Sequence, residues 1–212
     1  MNSGKTERGR FITFEGGEGA GKSTQARLLA EALGKAGIKT VVTREPGGSP
    51  GAEEIRNLLL AGDTARWDAE TEALLMMAAR RDHLIRTIRP ALASGHWVVC
   101  DRFLDSTEAY QGFGGGIPRE RIRELYRLIA GDFAPDLTLI LDLPVELGLK
   151  RAQTHTRFER MGHDFHERMR SGFLDIAQRE QKRCVVIDAR EDLAAVALAV
   201  KAAVRERLQA AL

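Results

Sequence analysis

The residues Phe11-Ile12-Thr13-Phe14-Glu15-Gly16-Gly17-Glu18-Gly19-Ala20-Gly21-Lys22-Ser23-Thr24 decide the fold. Phe11–Phe14 is a short apolar run of strand character. Gly16–Ser23 then matches the phosphate-loop pattern G-x-x-x-x-G-K-[ST]. A helical pattern follows, with Leu28, Leu29, Ala32 and Leu33 on one face and Gly34 and Gly37 as stops. Glycines 16, 17, 19 and 21, with Glu18 and Ala20 between them, let the backbone curl until its N–H groups converge on phosphate oxygens. The helix opening near Lys22 adds the positive end of its dipole. In this pattern Lys22 reaches the β- and γ-phosphates, Ser23 offers a hydroxyl to Mg²⁺, and Thr24 continues the loop into the helix. The pattern specifies a bound nucleoside triphosphate and no particular reaction.

Outward from this stretch, strand-length apolar runs alternate with helical segments. The runs are Phe11–Phe14, Thr40–Thr43, Trp97–Cys100, Leu137–Leu143 and Cys184–Ile187. This rhythm predicts an α/β fold: a mainly parallel, five-stranded sheet between two helical layers. Ligands then gather at the carboxyl ends of the strands. Two motifs fall there. Trp97–Cys100 runs into Asp101-Arg102, which predicts a second Mg²⁺-organising carboxylate beside an arginine able to clamp a second phosphate. Thr43-Arg44-Glu45-Pro46-Gly47-Gly48 forms a sharp turn that presents Arg44 and Glu45 inward. Gln111–Pro118 is glycine-rich and reads as a loop. Lys150–Arg170 is crowded with Arg and His and reads as a lid, centred on about 150–164. Leu193–Leu212 reads as an amphipathic packing helix, and Leu74–Met77 as core or as part of a dimer face.

Composition narrows the class. The 212 residues suit a single domain from 10 to 212 behind a loose polar tail, Met1–Gly9. A net charge of +2 argues against a nucleic-acid coat and leaves room for a local basic pocket. The longest apolar runs, such as Leu74–Ala79, fall short of a membrane span. The two cysteines, Cys100 and Cys184, lie in apolar strand-like runs and read as buried thiols in a reducing cytoplasm. His155, His163 and His166 lack the partners of a recognisable zinc spacing and read as solvated or lid-packing groups.

Three strings together resemble the thymidylate kinases: F-E-G-G-E-G-A-G-K-S-T-Q, T-R-E-P-G-G and C-D-R-F-L-D-S-T-E-A-Y-Q-G. The correspondence runs in order from Phe11 to about Ala189. It implies a P-loop NTPase fold, a homodimer, and phosphoryl transfer from ATP with Mg²⁺ to dTMP, feeding dTTP synthesis. It implies that Lys22 and Ser23 hold ATP phosphates and Mg²⁺, and that Glu18 sits near the acceptor sugar and phosphate. Arg102 would bind the dTMP phosphate, with Glu45 and Arg44 close by. Arg80 would contact thymine, Ser106, Tyr110 and Gln111 would line the nucleoside pocket, and Glu159 would lie near the reacting phosphates. The Tyr110 ring would crowd the place of a ribose 2′-OH.

Some members carry a catalytic arginine inside the phosphate loop, where this chain has Gly19. The chain resembles the other class, in which the lid supplies it; Arg151, Arg157 and Arg160 are the candidates, with Arg157 preferred because it sits in R-F-E. Three features depart from the common pattern: Met76 replaces a stacking Phe, Gly115 replaces an Arg, and the lid is short and less basic, with Thr156 in place of Asp. A thioether still packs on a base. The acceptor phosphate has a second pKa of about 6 and is largely dianionic at neutral pH, so no general base is required. The barrier lies in bringing two polyanions into line and neutralising them.

Overall fold

The computed structural model describes residues 8–152 and 157–212. The tail up to residue 7 and lid residues 153–156, with His155 and Thr156, lie outside the described residues. Five parallel strands form one sheet in the order β2-β3-β1-β4-β5: β1 Phe11–Glu15, β2 Thr40–Arg44, β3 Trp97–Asp101, β4 Leu137–Asp142 and β5 Cys184–Asp188. Each expected strand is present. Four extend one residue further than the apolar run, because Glu15, Arg44, Asp101 and Asp188 continue the ladder. The fourth ends at Asp142, one residue short of the expected Leu143.

Side-chain alternation builds a core on each face of the sheet. Ile12, Phe14, Leu137, Leu139 and Leu141 pack against Leu29 and Leu33 of helix α1 (Lys22–Lys35) and Val200 and Val204 of helix α9 (Leu193–Leu208). On the opposite face Phe11, Val98 and Cys100 meet Leu84, Ile88, Phe103, Ile122 and Tyr126. Helices α2 (Pro50–Leu60) and α3 (Ala69–His83) form the wall beside β2. A π-helical stretch, Leu84–Ile88, carries α3 into α4 (Arg89–Ala93). Helix α6 spans Arg119–Ala130, α7 spans Val145–Arg151 and α8 spans His163–Arg179. Both cysteines are buried and unbridged, as their apolar runs predict.

Two segments differ from the sequence reading. Helix α5 (Leu104–Thr107) continues as a π-helix from Glu108 to Gly114, so half of the expected glycine loop is helical. Tertiary packing overrides the low helix propensity of glycine there. A Cβ at Gly172 of α8 would stand 2.6 Å from the Phe113 ring, so α8 has room for this segment only because it carries glycine. The expected lid region is also divided: Lys150 and Arg151 close α7, and everything from His163 onward belongs to α8. In the Leu74–Met77 run, Met77 is core and Leu74 is 55% exposed.

Leu139 is fully buried in β4, between the ladders to β1 and to the edge strand β5. Leu139→Ala is expected to lower unfolding free energy by about 2–5 kcal/mol, read from the midpoint of chemical denaturation at unchanged slope.

Candidate active site

Parallel pairing of β1 with β3 sets Phe14 beside Asp101. The two chain segments therefore leave the sheet together, one as the glycine loop and the other as Asp101-Arg102-Phe103. Arg102 adopts a left-handed backbone conformation (φ 72°) and anchors its own N–H on the Phe14 carbonyl at 2.8 Å. This turn throws its side chain back over the loop. Nη1 donates to the Gly16 carbonyl at 3.0 Å and to Ser106 Oγ at 3.2 Å, and Nη2 donates to Glu18 Oε1 at 3.1 Å. The Tyr110 hydroxyl donates to the same Glu18 oxygen at 2.6 Å, and the Tyr110 ring lies 4.9 Å from the guanidinium carbon.

Gly19 explains why no arginine stands inside the loop. Its φ is +67°, and a Cβ there would stand 2.1 Å from the Gly148 carbonyl of α7. The loop therefore packs backbone to backbone on α7. On its other side, Lys22 Nζ donates to the Gly17 carbonyl at 2.6 Å. Ser23 Oγ donates to Asp101 Oδ2, while Asp101 Oδ1 is buried without a hydrogen-bond partner among the described residues.

Charges in this site hold one another in place. Burial opposes ionisation of Glu18, but Arg102, Lys22 and the Tyr110 hydroxyl outweigh it and hold its carboxyl at about 2. Burial, reinforced by Arg102, lowers the Lys22 ammonium to about 8 against the pull of Glu18, Asp101 and Glu15. Arg102 is also buried, yet Tyr110, Glu18, Asp101 and Glu15 more than offset that and raise it above the ordinary arginine value. Beneath the cleft lies Glu15, which accepts from the Phe103 N–H at 2.7 Å and from Ser106 Oγ at 2.5 Å. Burial, then the nearby Asp105 charge, pushes the Glu15 carboxyl up.

A further wall of the cleft comes from the end of β2 and from α3. Glu45, before a cis peptide bond to Pro46, accepts from Arg80 Nε at 2.7 Å and is bonded to His83 Nδ1 at 3.0 Å. His83 Nε2 in turn bonds Thr43 Oγ1 at 2.7 Å. Arg80 Nη2 donates to the Phe103 carbonyl and to Thr107 Oγ1, at 2.9 and 3.1 Å. Arg80 Nη1 faces the weakly accepting Met77 sulfur, at 3.5 Å.

Around a cleft of about 560 Å³ the structure gathers Glu18, Gly19, Gly21, Lys22, Ser23, Thr24, Arg44, Glu45, Met76, Arg80, Asp101, Arg102, Ser106, Tyr110, Gln111 and Glu159. Gly16, Gly17 and Ala20 shape the loop behind them. Arg44 lies at the rim, 3.1 Å from Glu53, with its side chain 54% exposed. Arg157 is not brought to the cleft: it is fully buried, paired with Glu72 at 2.6 Å and donating to the Leu59 and Thr64 carbonyls, both at 3.1 Å. Arg160 donates to the Gly62 carbonyl at 2.5 Å. Of the three lid arginines, Arg151 alone lines the cleft, resting on the Ala189 carbonyl at 2.9 Å. Sequence reasoning missed Glu15, Arg56, Glu72 and His83. Only Glu15 carried a signal, as a carboxylate closing an otherwise apolar strand.

A parallel sheet in this strand order, with the glycine loop at the end of its central strand and the Arg102 side chain folded over that loop, defines a P-loop fold. Residues 14–200 match the family model of thymidylate kinase. The chain is 58% identical to the thymidylate kinase of Caulobacter vibrioides over 95% of its own length and 98% of that protein. It is 56% identical to the thymidylate kinase of Rhodopseudomonas palustris, over 95% of this chain and 90% of the other. The crystal structure of thymidylate kinase from Ehrlichia chaffeensis superposes with a TM-score of 0.77 at 39% identity, covering 93% of this chain and 99% of that one. The chain belongs to the thymidylate kinase family.

The low value at Lys22 has a measurable consequence. A bound polyphosphate stabilises the ammonium form, so above pH about 8 triphosphate binding must take up a proton at Lys22. The dissociation constant for ATP is expected to rise up to tenfold per pH unit above that point. Calorimetry in buffers of different ionisation enthalpy should register uptake approaching one proton per site at pH 9, and none at pH 6.5.

Proposed function

We propose that the chain transfers the γ-phosphoryl group of ATP to dTMP, giving dTDP and ADP. One observation carries this reading: Lys22 of the glycine loop and the Arg102 guanidinium, which folds back onto that loop, line one cleft together with Arg80 and Tyr110. A switch protein has no use for the second grip.

The ATP phosphates lie in the loop from Gly16 to Thr24, with Lys22 on the β- and γ-phosphates. Ser23 and Asp101 suit Mg²⁺, since they stand in contact and Asp101 Oδ1 is buried without a partner among the described residues. Mg²⁺ bound there would neutralise charge on the β- and γ-phosphate oxygens. On the other side Arg102 takes the dTMP phosphate through the guanidinium edge that now faces Glu18, with Arg44 and Arg56 at the rim adding positive charge. The nucleoside runs toward Tyr110 and Ser106, and the base reaches Arg80, Met76 and Gln111. Arg80 has its Nη1 edge to give, because Glu45, Phe103 and Thr107 hold Nε and Nη2.

The dianionic acceptor attacks without a base, so the protein's task is alignment and charge neutralisation. We assign the lid's share of that charge to Arg151, which already lines the cleft, with Glu159 beside the phosphates. Arg157 serves the site from behind. A second copy of the chain would cover the exposed Leu74, Ile85 and Leu128 on α3, its π-helical extension and α6, consistent with a homodimer. No helix of the described residues is long and apolar enough to cross a membrane. Two unbridged cysteines suit the reducing cytoplasm.

ADP release from ATP is expected to depend on an added monophosphate and to be fastest with dTMP, slower with dUMP, and negligible with AMP. A purine preference, or no acceptor dependence, sinks the assignment. Arg151→Ala is expected to lower kcat by about 10³-fold, by analogy with arginines that act at the transition state, with little change in the KM for dTMP. A normal kcat in that variant would remove Arg151 from the catalytic set.

A further inference from the structure

Glu72 stands in the first turn of α3, 5% exposed, and joins the lid to the helical segment that carries Tyr110 and Gln111. Its Oε1 faces the Arg157 guanidinium of the lid at 2.6 Å. Its Oε2 accepts from Gln111 Nε2 at 2.9 Å. An amide side chain can be turned either way, and its neighbours decide which end points where. A carboxylate paired with arginine accepts hydrogen bonds and donates none. It therefore selects the orientation in which the Gln111 NH₂ group points back toward α3. The reverse orientation would set two oxygens against each other.

The other end of the amide is then committed. Gln111 is 1% exposed and lines the cleft together with Met76, Arg80 and Tyr110. Its Oε1 is buried without a hydrogen-bond partner among the described residues. A buried carbonyl in this position is costly until a donor reaches it. The pyrimidine bases differ at this point. Thymine and uracil carry N3–H, a donor, whereas neutral cytosine carries a bare N3, an acceptor.

We propose that Glu72 is a positioning residue that locks the Gln111 amide with its carbonyl toward the acceptor base, so that the cleft takes pyrimidines bearing N3–H and rejects cytosine. The proposal rests on the dTMP reading above. It makes base selection depend on a residue that touches no substrate, and it ties that selection to the lid through Arg157.

The test compares Kd values of dTMP, dUMP and dCMP for the full chain, by calorimetry with competition for the weakest ligand. The proteins are wild type, Glu72→Gln, Gln111→Ala and the double variant. Glutamine at 72 can donate as well as accept, so the Gln111 amide is released to turn over. The dCMP-to-dTMP ratio of Kd is expected to fall by about 10–100-fold in Glu72→Gln, the size of one buried hydrogen bond made rather than left unsatisfied. The dUMP-to-dTMP ratio should stay put, because both bases carry N3–H. In the Gln111→Ala background the substitution should add nothing to base discrimination, which a general loosening of α3 would not reproduce. Should Glu72→Gln fail to fold by circular dichroism, Glu72→Asp keeps the charge for Arg157, shortens the reach to Gln111, and is held to the same ratio. An unaltered dCMP-to-dTMP ratio in the folded variant, or an equal effect in the Gln111→Ala background, overturns the proposal. Absence of dTMP-dependent turnover in the wild type would overturn the activity itself, and this proposal with it.

Discussion

The Arg102 guanidinium joins the end of β3 to the glycine loop after β1, and the cleft depends on that junction. To reach across, Arg102 takes a left-handed backbone conformation, which for a residue with a Cβ costs roughly 1–2 kcal/mol. The arrangement persists because the surroundings over-determine it: the Phe14 carbonyl holds its backbone, while the Gly16 carbonyl, Ser106 and Glu18 hold its side chain. Strain of this kind concentrates where a side chain must be delivered to one point. Here that point is the cleft beside the glycine loop.

The topology makes the junction possible. β3 enters the sheet between β1 and β2, so residues nearly ninety positions apart along the chain leave the sheet side by side. A charge network then replaces water around the polar groups. Glu18 lies under Arg102 and Lys22, Ser106 bridges Arg102 to Glu15, and Glu45 joins Arg80 to His83. Buried charges without such partners would be strongly destabilising. Paired, they are fixed in place before any substrate arrives, the condition for electrostatic preorganisation.

The segment expected as a lid is fastened to the wall that carries Glu72 and Tyr110. Arg157 reaches under α2 and α3 to Glu72 and two backbone carbonyls, and its neighbour Phe158 packs edge-on to the Tyr110 ring at 5.6 Å. An arginine in a basic lid segment can neutralise substrate or fasten the lid, and local sequence does not distinguish these uses. The R-F-E string raised the expectation of a catalytic Arg157. The structure places that guanidinium against protein acceptors and leaves Arg151 on the cleft.

The sequence by itself determined what depends on near neighbours along the chain: the phosphate loop, whose glycines and lysine act within eight residues, the strands, whose continuous apolar runs are buried in β1, β3 and β4 and partly exposed at the edges β2 and β5, and the Asp101-Arg102 pair at a strand end. It misjudged Gln111–Gly114, where glycine content suggested a loop and packing against α8 made a helix. Tertiary structure alone decided which charged groups face one another. Glu72, His83 and Arg56 stand in ordinary helical patterns, and nothing local marks them. Their roles follow from distances between elements, since a buried carboxylate or imidazole takes its function from whichever donors and acceptors the fold brings within about 3 Å.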